Sequence, residues 1–117
     1  MEERRTQSLL LDFYGELLTD KQRSCYDLHV NEDLSLSEIA EQLGISRQGV
    51  WDNIRRAEKT LTQIEEKTGL MHRFEETRAA LSGLGARLEE LSAMTEGEAS
   101  RTARQLADEL MALRDKG

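Results

Sequence analysis

A group of side chains in the middle of the chain has the residue types that bind nucleic acid. It combines cations, an amide and an aromatic ring at the start of one predicted helix: Ser46, Arg47, Gln48, Trp51, Arg55 and Lys59. Arginine can bond guanine through two nitrogen atoms, and glutamine can pair with adenine. A tryptophan can stack on an unpaired base or act as an apolar anchor for a protein. We therefore predict that these residues bind nucleic acid or a partner protein.

The charge around this group limits the kind of nucleic-acid binding that it can support. Four bases and two acids fall between residues 47 and 59, a local balance of +2 within a chain of net charge −7. Nonspecific coating of nucleic acid requires cations that displace counterions, so the whole chain does not suit that role. The same charges would also solvate the outer side of a packed helix. The residues alone leave both interpretations open.

Two predicted helices and a glycine corner position the group. Ser35 and Glu38 have the spacing of a capping box, which begins the first of these helices. Gly44 can adopt the left-handed conformation of a corner, and Ser46 can cap the second helix. Apolar residues recur at three- and four-residue steps along both helices: Leu36, Ile39, Ala40 and Leu43, then Val50, Ile54, Ala57, Leu61 and Ile64. This order is that of a helix-turn-helix, whose second helix characteristically enters the DNA major groove.

Helical patterns also cover the residues before this motif. A first helix is predicted over 4–18, and Thr19 caps a second helix that ends near Asn31. The first helix has a predicted buried face of five residues: Leu10, Phe13, Tyr14, Leu17 and Leu18. Proline is absent, so nothing blocks long helices. We predict an all-α fold, in which a helix-turn-helix bundle of three or four helices over 1–69 precedes an amphipathic helical extension over 70–117.

The predicted extension consists of two helices with a break between them. Gly83 and Gly85 are expected to weaken the middle of the first helix, and Thr95 and Glu98 have capping-box spacing at the break. Apolar residues lie along one side of each helix: Leu70, Phe74, Leu81, Leu84, Leu88, Leu91 and Met94, then Ala99, Ala103, Leu106, Leu110 and Leu113. These are too few to form a core alone. They must pack on the first four helices or on another chain, and the length of the apolar seam favours a homodimer.

The sequence contains no recognisable arrangement for catalysis or for holding a metal or cofactor. The single cysteine, Cys25, and the two histidines, His29 and His72, do not form a zinc ligand set. Neither a glycine-rich phosphate loop nor a serine elbow occurs. We expect a non-enzymatic protein without metal or cofactor. A lone thiol and the lack of an apolar run of about 18 residues predict a cytoplasmic protein.

Three segments resemble one bacterial family. FYGELLTDKQR (13–23), LSLSEIAEQLGISRQGVWDNIRRAEKTL (34–61) and LMHRFE (70–75) are similar to the YlxM family of small helix-turn-helix proteins. The resemblance covers about 1–75, and it implies an accessory or regulatory protein of the signal recognition particle pathway of co-translational targeting. The implied partners are the RNA of the particle, its GTPase, or both.

The helix-turn-helix by itself also resembles region 4 of sigma factors, which reads promoter DNA. This resemblance implies an alternative function, that of a sequence-specific transcriptional regulator. Trp51 and Asp52 depart from the sigma-factor pattern, where a polar or cationic reader of bases is expected, but they agree with the YlxM family. The alternative partner is therefore DNA.

Overall fold

The structure, a computed structural model, describes residues 2–116 as a series of helices without a strand. Six α-helices and one 3-10 turn follow each other: α1 (Glu2–Tyr14), the turn Gly15–Leu17, α2 (Asp20–Val30), α3 (Leu36–Leu43), α4 (Arg47–Thr68), α5 (Leu70–Met94) and α6 (Gly97–Lys116). The predicted all-α fold with a helix-turn-helix is confirmed. The chain divides into two compact units, Met1–Met71 and His72–Gly117.

The first helix ends four residues earlier than predicted. After Tyr14 the chain tightens into the 3-10 turn, and Leu18 is already extended (φ −86°, ψ 157°). A 3-10 turn has three residues per turn instead of 3.6, so it rotates the following side chains away from the helix face. Leu17 is consequently 67% exposed, against the prediction that it is buried, whereas Leu18 is buried.

Side-chain caps begin α2 and α3. Ser35 Oγ accepts from Glu38 N at 3.1 Å, and Glu38 Oε1 accepts from Ser35 N at 2.9 Å, which confirms the predicted capping box. Thr19 and Gln22 form a second, reciprocal box at 3.2 Å in each direction. The sequence predicted Thr19 as a cap but not the contribution of Gln22.

The core of the first unit surrounds α4. Its inner stripe buries Val50, Ile54, Ala57 and Leu61, as predicted, against α1, α2 and α3. Tyr26 from α2 and Ile39 from α3 are among the largest side chains that are fully buried there. Each large aliphatic side chain that leaves water contributes about 1.5–3 kcal/mol. Burial of this stripe therefore fixes which side of α4 faces outward.

The two tyrosines of the first unit differ in the hydrogen bonds that their hydroxyl groups form. Tyr14 Oη donates to Glu65 Oε1 at 2.6 Å and lies 2.9 Å from Thr68 Oγ1. The same Glu65 oxygen accepts from Met71 N at 3.0 Å, so this network joins α1 to the corner between α4 and α5. Tyr26 Oη is buried and has no hydrogen-bond partner among residues 2–116. Burial, with the charges of nearby Glu58 and Glu3, raises the pKa of Tyr26 far above its usual range.

The second unit is a hairpin in which α5 and α6 run antiparallel. Ser92 and Ser100 exchange hydrogen bonds near the break, and Arg114 Nη1 donates to Ser82 Oγ at 3.2 Å near the other end. The buried positions are small: Gly85, Ser92, Ala103 and Ala107. A Cβ atom at Gly85 would lie 2.5 Å from Met111 Cε. Gly85 therefore leaves room for the Met111 side chain against α5, which continues unbroken through this position. The expected weakening of its middle stays a prediction.

One expectation for this hairpin stays a prediction and another is wrong. Several large apolar residues of the two predicted seams are exposed in the single chain, so their packing against another chain stays a prediction: Leu70, Leu84, Leu91, Met94, Leu106 and Leu113. Small residues allow helices to approach closely, so they occupy the contact and the leucines project beside it. The Thr95 hydroxyl does not form the expected capping box with Glu98, because it donates to the Leu91 carbonyl at 2.7 Å.

The two tyrosines provide a matched test of the core. Tyr14→Phe removes a hydroxyl with two partners, and we expect it to lower the free energy of unfolding by about 1–2 kcal/mol. Tyr26→Phe removes a buried hydroxyl without a partner, so stability is expected to stay unchanged or to rise by about 1 kcal/mol. Urea unfolding followed by circular dichroism measures both. Equal losses in the two variants would contradict the assigned hydrogen bonds.

The capping box of α3 predicts a pH dependence of stability. Hydrogen bonds from the Ser35 backbone and side chain lower the pKa of Glu38, against smaller opposite effects of desolvation and of the Asp33 charge. The ionised Glu38 carboxylate therefore stabilises the folded state. This stabilisation is complete above the pKa of the glutamate in the unfolded chain, and it is lost as the pH falls through the lower pKa of the folded state. Glu38→Gln keeps a capping residue that does not titrate, so its stability should depend less on pH. Urea unfolding across the acidic range measures the difference, with Glu41→Gln on the same helix as control.

Candidate helix-turn-helix interface

A glycine in the left-handed conformation sets the direction of α4 relative to α3. Gly44 has φ 69° and ψ 35°, and its N–H donates to the Ala40 carbonyl at 2.9 Å. A Cβ atom placed there would meet nothing within 4 Å, so the conformation, and not space, requires glycine. Ile45 N also donates to Ala40 at 3.1 Å, and the Ile45 side chain packs against the core. The corner is therefore held by backbone bonds and by apolar contact.

Ser46 begins α4. Its Oγ accepts from Gly49 N at 2.9 Å, so the hydroxyl is already engaged as the cap of the helix. It was predicted as a cap and also as a member of the binding group. The observed bond confirms the first role, and the second stays a prediction. As the cap, Ser46 fixes where the exposed side chains of the first turn begin.

The outer side of α4 carries the other predicted residues. Arg47, Gln48, Trp51, Arg55 and Lys59 are all exposed. The Trp51 side chain is 44% exposed although it is the largest apolar side chain of the motif. The Arg55 guanidinium lies 5.8 Å from the centroid of the Trp51 ring, which is a cation–π distance. The structure thus places an aromatic ring and a cation together on an accessible surface.

Gln48 is engaged by a neighbouring acid. Its Nε2 donates to Asp52 Oδ1 at 3.1 Å, one helical turn along α4. To pair with adenine, the amide of Gln48 would have to leave this bond. Asp52 also places a carboxylate among the cations of the outer face, and a phosphate would be repelled by it.

Arg56 belongs to a cluster of charged residues in which only Arg55 and Lys59 were predicted as binding residues. Asp52, Arg55, Arg56 and Lys59 line one shallow cleft on the outer side of α4. Three cations and one carboxylate therefore share a small surface. Arg56 was counted in the local charge but not predicted as a binding residue. Its four-residue spacing from Asp52 was the signal that could have placed it on this face.

The helix that precedes the corner is acidic on its exposed side. In DNA-bound helix-turn-helix proteins the first helix crosses the phosphate backbone. Here α3 carries Glu38 and Glu41, both exposed, and its sequence LSEIAEQL contains no cation. A duplex docked in that geometry would bring phosphates toward carboxylates. The cations of the motif therefore lie on α4 and not on α3.

The remaining titratable groups do not form a second site. Within residues 2–116, no cluster of three His, Cys, Asp or Glu side chains could hold a metal ion. Cys25 is buried, and desolvation raises the pKa of its thiol against a smaller opposite effect of Lys21, which disfavours the reactive thiolate. His29 Nδ1 lies 3.4 Å from the Leu34 carbonyl oxygen, next to the turn before α3. In the described part of the chain, none of the helices combines the length and apolar character needed to cross a membrane.

Comparison with known proteins identifies the family. The sequence model of the family described as "Putative helix-turn-helix protein, YlxM / p13 like" (UPF0122) matches residues 1–99. A UPF0122 protein of Acetivibrio thermocellus is 60% identical over 67 residues, which are 57% of this chain and 57% of the relative. One of Desulforamulus reducens is 48% identical over 81 residues, 69% of each chain.

A further relative, of Geobacillus kaustophilus, is 48% identical over 84 residues, 72% of this chain and 76% of its own length. The match thus covers between just over half and about three quarters of these relatives. No solved structure matches the chain. The match of the family model over most of the chain, together with a glycine-cornered helix-turn-helix, shows that the chain belongs to the UPF0122 family of YlxM/p13-like helix-turn-helix proteins.

Proposed function

We propose that this protein is a non-enzymatic accessory factor of the signal recognition particle, which directs proteins to membranes during their synthesis. It binds the RNA of the particle, its GTPase, or both, through the outer face of α4. The resemblance to the YlxM family supplies the pathway. The exposed pair of Trp51 and Arg55 is the observation that carries the mode of binding, because both side chains face outward on the recognition helix of the motif.

An exposed tryptophan beside a guanidinium suits a target with accessible apolar or aromatic surface. Single-stranded loops of RNA offer unstacked bases, which stack on aromatic rings and on arginine planes. A protein partner offers pockets, in which tryptophan and arginine are the residues that contribute most to binding. A duplex major groove presents mainly polar base edges, which a tryptophan ring cannot read through paired hydrogen bonds.

The charges on and around the motif also favour an RNA loop or a protein over a DNA duplex as the target. Arg55, Arg56 and Lys59 can meet phosphates or an acidic protein surface at one small cluster. Asp52 lies within that cluster, and Glu38 and Glu41 lie on α3. A long duplex contact would bring phosphates near these acids, whereas a compact contact with a loop or a protein can use the cations and avoid them.

Variants of the outer face test this proposal. We expect Trp51→Ala and Arg55→Ala each to weaken binding to the purified particle components about tenfold, because loss of one stacked base costs about 1–3 kcal/mol. Fluorescence anisotropy with the RNA and with the GTPase, measured separately at low salt, gives both affinities. Lys67→Ala is the matched control, since Lys67 is an exposed cation in the last turn of the same helix.

Two outcomes would contradict the proposal. One is a wild-type protein that binds neither the RNA nor the GTPase at low salt. The other is binding that Trp51→Ala and Arg55→Ala leave unchanged while the Lys67→Ala control behaves as the wild type. Because the two components are measured separately, the experiment also shows which of them is the partner.

A sequence-specific DNA regulator is the second candidate function. The observation in its favour is that Arg47 and Gln48 are exposed in the first turn of α4, where helix-turn-helix proteins contact base edges. In this function the amide of Gln48 would exchange Asp52 for a base. Two copies bound as a dimer would favour half-sites about one helical turn of DNA apart.

Selection from fragmented genomic DNA separates the two functions. If the protein serves the signal recognition particle, we expect no enriched sequence, and any weak retention of DNA should fall steeply as salt rises. An enriched motif, lost in Arg47→Ala and Gln48→Ala, would support the regulator instead. Lys67→Ala again serves as the control, because it removes a cation of α4 outside the predicted reading positions.

A further inference from the structure

We propose that one side of the α5–α6 hairpin binds the same side of a second copy of this chain and forms a four-helix dimer. The side in question, called the leucine face, consists of Leu84, Leu88 and Leu91 from α5 and Leu106, Leu110 and Leu113 from α6. These leucines line two adjoining grooves that share Leu88 and Leu110, so the surface is continuous across both helices.

The leucine face is exposed to an unusual degree for such apolar residues. Leu91 is 48% and Leu106 is 44% exposed, and Leu84 and Leu113 are exposed as well. Isolated exposed leucines are common on soluble proteins, but a contiguous patch of them marks an interaction surface. The two helices here place six leucines on one surface.

The internal packing of the hairpin explains why the leucines remain available. Gly85 and Ser92 of α5 and Ala103 and Ala107 of α6 fill the contact between the helices. The hairpin is therefore held by these small residues together with Met111, whose side chain lies against Gly85. The leucines lie beside this contact and remain available.

The whole side of the hairpin that carries the leucine face has dimensions near those of a stable dimer interface. A helix of the length of α6, 20 residues, is about 30 Å long, and two packed helices are about 20 Å wide. The leucines themselves extend over about 10 Å of each helix, seven steps of 1.5 Å, so they form only part of this side of the hairpin. Pairing along the whole side would bury roughly 600 Å² of each copy, beside the approximately 800 Å² that each partner buries in a stable complex.

The spacing of the leucines matches that of helices packed in bundles. In both helices they follow steps of four and three residues, over 84–91 in α5 and 106–113 in α6. This period places side chains along a seam at which a second helix packs with interlocking residues. Two such seams side by side form one layer of a four-helix bundle, and an identical hairpin provides the complementary layer.

The charges at the edge of the face indicate a second copy as the occupant. Each helix contributes one base and one acid to the groove walls: Arg87 and Glu90 from α5, and Lys116 and Glu109 from α6. The edge is thus neutral, with signs in alternation. A two-fold axis brings the same surface against itself, so bases of one copy can face acids of the other. A nucleic acid would require a net positive edge.

This inference does not depend on the partner of α4, and it has a consequence for binding there. A dimer carries two helix-turn-helix units, so a target with two binding sites would be held more tightly than by one chain. Failure of the dimer would leave the binding face of α4 in each chain unchanged.

Sedimentation equilibrium of the full chain tests the proposal. We expect a mass of twice the 13.3 kDa chain mass at micromolar concentration. The double variant Leu91→Glu, Leu106→Glu should sediment as one chain with unchanged helix content, since both side chains are exposed in the single chain. Leu70→Glu is the matched control: Leu70 is also in α5 and equally exposed, at 49%, but lies outside the leucine face, and this variant should remain dimeric.

A second variant keeps the test decisive if the glutamates reduce helix content. Arg87→Glu with Lys116→Glu leaves every leucine in place but makes the edge wholly acidic, so the dimer should weaken at low salt and recover at high salt. A wild-type chain that is monomeric at about 100 μM, where a dimer of micromolar Kd would be nearly complete, overturns the proposal. Dimers that persist in both variants overturn it as well.

Discussion

Burial of one stripe of α4 is the interaction on which the first unit depends. Val50, Ile54, Ala57 and Leu61 are enclosed by α1, α2 and α3, so the helix cannot rotate without exposing them. Each large side chain of the stripe contributes about 1.5–3 kcal/mol, which is large beside the stability of a small domain. The same burial places Trp51 and the cations on the outside. The surface of the motif is thus a consequence of its core.

The outer side of α4 is restrained by its own neighbours. Arg55 lies against the Trp51 ring, and Asp52 holds the Gln48 amide. Such contacts order side chains before any partner arrives and reduce the entropy that binding must overcome. They also make the surface mixed in character, with an aromatic ring, cations and a carboxylate within two helical turns. This mixture is the reason for proposing a compact target and not an extended duplex.

The second unit uses its apolar residues in the opposite way. In the first unit the large aliphatic side chains are inside, whereas in the hairpin the small residues are inside and the leucines are outside. Two helices alone cannot enclose large side chains from every direction, and here Gly85 and Ala107 are among the buried residues while the leucines stay outside. The exposed leucines are then a surface that the hairpin presents, and the proposed dimer would cover it.

Local features were predictable from the sequence because they depend on residues only a few positions apart. These include the capping box of Ser35 and Glu38, the corner at Gly44 and the buried stripe of α4, each set by a bond or a period within one helix. Tertiary packing decided the features that depend on distant residues. It ended α1 at Tyr14 and left Tyr26 Oη without a hydrogen-bond partner among residues 2–116. It also placed the small residues of the hairpin between α5 and α6 and left the leucines outside. The periodicity of one helix could not predict this, because it does not specify how a second helix packs against it.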